Sequence, residues 1–246
     1  MADTFNHKED KIHQRAGLIN KYQRYLSEFV YGGIDGSVTT FAVVAGSAGA
    51  GLDSSIIIIL GFANLIADGF SMSVGSYLSN KSEIESFEKH ERIEHWEVEN
   101  IPEQEKEEVR EIFKSKGFEG DLLEKVVAVI TKDKDRWVDT MMKEELEMMK
   151  KDKSPFAMAV VTFFSFILVG LIPLLIYILD YLSASHIGHL FTSSIIMTTL
   201  AFIGIGFLKS LVNQTGKLKS ITETLFLGTA AAILAYFTGN ILEKLF

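Results

Sequence analysis

Five stretches of this chain are apolar over roughly the 20 residues that a helix needs to cross a bilayer. They run about Ser27 to Ala50, Ser54 to Ser79, Phe156 to Leu179, Leu190 to Leu211 and Ile221 to Leu242. Between the second and third lies a glutamate-rich segment, about Asn80 to Lys153. The chain is 48% hydrophobic yet 23% charged, a pair of figures that fits one water-soluble domain poorly and that this segregation explains. The expected fold is an all-α integral membrane protein with five transmembrane helices and a helical insert between helices 2 and 3. Membrane lipid is therefore its first partner.

Lysine and arginine set the orientation. Lys8, Lys11, Arg15, Lys21 and Arg24 precede the first span, and Lys209, Lys217 and Lys219 flank the fourth-to-fifth link. The links at Gly51 to Asp53 and Asp180 to His189 carry neither residue. The N-terminus and the insert are thus expected in the cytoplasm, with Phe246 outside. The segments are then 1–26, a cytoplasmic N-terminal segment; 27–79, spans 1 and 2; 80–153, the cytoplasmic insert; and 154–246, spans 3 to 5. The polar first 25 residues lack the apolar core of a secretory signal. With no cysteine, disulfides, thiolate metal sites and cysteine nucleophiles are excluded. A net charge of −8, concentrated in the insert, attracts cations and argues against nucleic acid as a partner.

The insert reads as helix throughout. Ser82 to Glu99 prolongs the second span and ends near Asn100, because the residue before Pro102 resists helical geometry. Further helices are expected from Pro102 to Lys116, closed by Gly117, from Asp121 to Thr131 and from Lys134 to Lys151. Val126, Val127, Ile130, Trp137, Val138 and Leu146 supply a small apolar core. Ser154 followed by Pro155 marks the start of the third span, and Pro173 should kink it, with neighbours satisfying the freed backbone groups.

Two groups of residues carry candidate chemistry. In the first span, Asp35 is a carboxylate inside an apolar run, a placement that costs about 2.5–3.5 kcal/mol on insertion scales and implies a cation, a proton or both. Asp68 lies in the second span with Met72 one helical turn beyond it. Small residues at four-residue spacing in the first span, Gly32 and Gly36 among them, suit a helix–helix interface, read here as lying between two copies, although glycine equally serves to let a helix break. In the insert, Glu94 and Glu97 share one helix face and Glu105 and Glu108 share another. If the helices fold back at Pro102, four carboxylates converge; the same residues also read as a solvated acidic surface, since Glu88, Glu91, Glu99, Glu103, Glu107 and Glu111 surround them. Met141, Met142 and Glu145 add thioethers and a carboxylate, a mixed set that favours a transition metal such as Fe²⁺, although both methionines also suit a core. The histidines, His90, His95, His186 and His189, form no site with these acids, and a glycine-rich phosphate loop is absent.

The blocks YGGIDGSVTTFAVVAG, FANLIADGFSMSVGSYLS and RWVDTMMKEEL resemble the vacuolar iron transporter (VIT) family, and the likeness runs from Tyr25 through the fifth span. The resemblance implies a five-span homodimer that exports Fe²⁺ from the cytoplasm in exchange for protons, with a cytoplasmic metal-binding domain between spans 2 and 3. It implies Asp35 and Met72 as ligands in the ion pathway, and Glu94, Glu97, Glu105, Glu108, Met141, Met142 and Glu145 as ligands in the insert. This chain has Gly75-Ser76 where many relatives have Gly-Glu, and Asp68 where small residues are common, which leaves Mn²⁺ open as cargo. The membrane would be the cell membrane of a prokaryote or a vacuolar or other organelle membrane of a eukaryote. The rival readings are a membrane-anchored di-iron ferroxidase or iron-binding protein, against which the missing Glu-x-x-His pairs count, and a pore gated by the insert as metal sensor.

Overall fold

The computed structural model describes residues 24–183 and 188–245; the expected N-terminal anchor, Lys8, Lys11, Arg15 and Lys21, and His186 lie outside the described residues. Among the described residues all regular structure is helical: α1 (Leu26–Gly49), α2 (Ser54–Asn100), α3 (Pro102–Ser115), α4 (Gly120–Thr131), α5 (Lys134–Glu144), α6 (Pro155–Gly170), a 3₁₀ turn (Ile172–Leu174), α7 (Leu175–Ser183), α8 (Leu190–Asn213) and α9 (Lys217–Leu245). Five helical segments, with α6 to α7 counted as one, are long and apolar enough to cross a membrane. The chain divides into two compact units, one comprising the sequence through Tyr77 together with Lys153 onward, the other Leu78–Asp152.

In the first unit α1 is the central element, packed against α6, α8 and α9. Its glycines make this possible. A Cβ added at Gly36 would overlap the Phe166 carbonyl of α6, and one at Gly49 would overlap the Tyr236 carbonyl of α9. The small-residue face is therefore a helix–helix interface, but one used within the chain rather than between copies. Phe166 and Val44 are fully buried beside Leu65 and Leu174, and Phe41 meets Phe202 edge-on at 6.3 Å. Gly51, with φ of 63°, occupies the left-handed conformation that closes the α1–α2 turn. At Pro173 the third span gives way to the 3₁₀ turn, and the Ser194 hydroxyl donates to the Pro173 carbonyl at 2.7 Å. Ser154 caps α6 by accepting from the Ala157 amide at 3.4 Å.

The second unit contains the charged end of α2 with α3, α4 and α5. Its core is Val98, Val109, Leu123, Val127, Trp137, Val138, Met141 and Met142, with Ile130 and Leu146 partly buried against it. Gly117, at φ of 90°, ends α3 as expected. The last helix is shorter than expected: α5 stops at Glu144 rather than Lys151. The Leu146 amide reaches back to the Met141 carbonyl and Glu147 adopts φ of 53°. Past this unwinding Leu146 and Met148 still pack, partly buried, against the core.

Candidate metal centre

The acids of the insert are buried by their neighbours. One turn after Glu94 stands Val98, and one turn after Glu105 stands Val109; both valines are core residues. A helical side chain shares its face with the residue four positions on, so packing the two valines draws both carboxylates inward. The Ile101–Pro102 turn reverses the chain between α2 and α3. As a result one oxygen each from Glu94, Glu97 and Glu105 lie within 4.8 Å of one another. Glu94 and Glu105 are only 4% and 2% exposed, and Oε2 of each has no hydrogen-bond partner.

Surrounding glutamates differ in kind. Glu99 pairs with Lys134 at 2.7 Å, Glu103 with Lys106 at 2.8 Å, Glu107 with Arg110 and Glu144 with Lys116. Among the described residues no cation pairs with Glu94, Glu97, Glu105, Glu108 or Glu145. Like charges about 5 Å apart repel by roughly 3 kcal/mol at an effective dielectric near 20. Burial first, then Glu145, Glu97 and Glu108, push the Glu94 carboxyl up to about 7. Burial first, then Glu108 and the other three acids, push Glu105 up to about 8. Glu145, the exposed member of the five acids, is raised by partial desolvation of its carboxyl and by Glu108 and Glu97. The five acids thus act on one another as a group. Oxygens that are buried, convergent and without partners suit a divalent cation, which replaces the repulsion with attraction and satisfies the orphan acceptors.

The linkage has a definite sign. Carboxyls raised above their unfolded value contribute stability that is complete below about pH 4.5 and lost as pH rises through about 7 and 8. Both tryptophans of the chain, Trp96 and Trp137, lie in the insert, so their fluorescence reports this unit. With a chelator present, the thermal midpoint read by tryptophan fluorescence should fall between pH 6 and pH 8.5. Saturating divalent metal should abolish that fall.

Met141 and Met142 are buried at 0% and 1% exposure in the core, so packing holds both thioethers in the same unit as the acids. Glu145, just beyond α5, is exposed. The indole nitrogen of Trp137, read from sequence only as core, is buried without an acceptor; its N–H donor could not be singled out by apolar periodicity.

In the membrane-spanning unit, Asp35 is half-buried on α1, Asp68 is exposed on α2, and Met72 is partly buried against the core containing Phe166 and Leu65. Asp68 is the charged group within electrostatic reach of Asp35. At the start of α1, Glu28 is 9% exposed and binds Lys153 at 3.0 Å, while the Ser27 hydroxyl donates to it at 2.8 Å. That ion pair joins residues far apart in sequence and has no local signature.

The VIT family model matches residues 26–240. A vacuolar iron transporter of Toxoplasma gondii is 34% identical over 98% of this chain and 79% of its own length. Vacuolar iron transporter 1 of Arabidopsis thaliana is 32% identical over 88% and 85%. A vacuolar iron transporter of Plasmodium falciparum is 29% identical over 99% and 90%.

Proposed function

The chain belongs to the VIT family, and from that premise we propose that it is a secondary transporter moving a divalent transition metal, Fe²⁺ first and Mn²⁺ second, out of the cytoplasm in exchange for protons. The observation that carries this reading is the set of mutually repelling glutamates in the insert, two of them deeply buried and none with a cationic partner among the described residues, in a chain that also carries Asp35 and Asp68 within its spans. In this reading Glu94, Glu97, Glu105, Glu108 and Glu145 collect the ion on the cytoplasmic side, and the thioethers of Met141 and Met142 bias the set toward softer metals than Mg²⁺.

Asp35 and Met72 then receive the ion in the membrane. A proton arriving from the far side competes for the same carboxylate and so releases the metal. The path runs between two copies of α1. Tyr31, Asp35, Thr39 and Ala42 are each at least partly exposed and recur at helical spacing along one side of α1, the side left open once its glycines are packed within the chain. A second copy covering that stripe would remove Asp35 from contact with hydrocarbon.

Uptake of Fe²⁺ into proteoliposomes under strictly anaerobic conditions tests transport against ferroxidase activity. The transporter reading expects metal accumulation driven by an imposed pH gradient with no O₂ required. Metal oxidation coupled to O₂ consumption, without accumulation, would contradict it.

A further inference from the structure

We propose that Asp68 is the second carboxylate of the intramembrane cation site, binding the same divalent ion as Asp35 from the opposite arm of the α1–α2 hairpin. The proposal rests on the reading of Asp35 as a cation ligand and adds a residue that reading does not include.

Depth is the first argument. Asp35 stands sixteen residues before the turn residue Gly51 and Asp68 seventeen after it, counting 51 minus 35 and 68 minus 51. At about 1.5 Å of rise per residue both lie about 25 Å from the turn. The packing of α6 gives the same result independently. Gly36, next to Asp35, abuts the Phe166 carbonyl, and a Cβ at Gly69, next to Asp68, would lie 3.1 Å from the Phe166 ring. Both arms of the hairpin are therefore pinned at one level of α6, with a carboxylate on each.

Charge is the second. Among the described residues neither acid has a lysine, arginine or histidine partner, and Asp68 lies within electrostatic reach of Asp35. Two carboxylates at one depth repel in a low-dielectric layer, and a divalent cation between them converts that repulsion into attraction.

The third argument is the company Asp68 keeps. Asn64, Asp68 and Met72 recur every fourth residue and form one stripe of α2. The Asn64 side-chain nitrogen is buried without a hydrogen-bond partner, which calls for a polar occupant beside the stripe, such as the water shell of a partly hydrated ion.

The test is the Fe²⁺ concentration dependence of transport by the full-length protein in proteoliposomes. Asp68→Asn should raise KM by about tenfold or more, the equivalent of about 1.4 kcal/mol, and Asp68→Glu should restore it to within about threefold of wild type. Asp68→Ser provides a second neutral variant should the asparagine fail to insert, with the same expected rise. Metal affinity of the insert, read by tryptophan fluorescence, should not move in any of them. Neutral variants with wild-type KM would overturn the proposal, as would a glutamate variant as impaired as the neutral ones. A wild-type protein that moves no metal would instead overturn the transport reading itself.

Discussion

Replacing Glu94 and Glu105 together by glutamine should lower the affinity of the insert for divalent metal by at least about 100-fold. Changes one shell away from a metal typically cost 10–100-fold, and these two are the most deeply buried oxygen donors of the set. The substitution also removes two charges that the fold holds at a penalty, so the metal-free protein should become more stable above pH 7. A gain of about 1 kcal/mol would move the midpoint of a unit this size by about 4–8 °C. The two effects have opposite signs, which separates a metal site from a structural role. Binding is measured by titrating Mn²⁺ or Fe²⁺ into the full-length protein in detergent, and stability by tryptophan fluorescence with a chelator. Glu99→Gln, which removes an exposed acid paired with Lys134, serves as control and should change neither quantity by much. Unchanged affinity in the double variant would remove the insert from the transport account.

Much of the fold is written in local punctuation. The spans follow from apolar length, the end of α2 from Pro102, the end of α3 from Gly117 and the start of α6 from Ser154-Pro155. The end of α5 is not, because no glycine or proline stands between Glu144 and Lys151 to mark it. The candidate site divides in the same way. Spacing shows that Glu94 and Glu97 share a face, but not that Val98 and Val109 pull Glu94 and Glu105 inside. Nor does it distinguish Glu94 from Glu99, whose partner Lys134 comes from α5, three helices further along the chain. The small residues of α1 are legible as an interface, while their partners, α6 and α9, are fixed only by the packed fold. The matching depth of Asp35 and Asp68 is implicit in the sequence, since it needs only the position of the turn at Gly51.

Asp35→Asn should abolish metal transport while leaving metal binding by the insert intact. The amide is nearly the same shape as the carboxylate, so the packing of α1 through Gly36 against Phe166 is retained. What is lost is charge, where charge matters most. The effective penalty for holding an ion away from water is several kcal/mol after relaxation, and every 1.4 kcal/mol is a factor of ten. Loss of the Asp35 carboxylate thus predicts a drop of about 100-fold or more. The amide also cannot take up a proton in exchange, so metal and proton movement should fail together. The direct measurement is simultaneous Fe²⁺ uptake and proton counterflow in proteoliposomes under an imposed pH gradient, wild type beside Asp35→Asn. The account predicts coupled exchange in the wild type and fluxes at the level of protein-free vesicles in the variant; exchange by Asp35→Asn at the wild-type rate would contradict it.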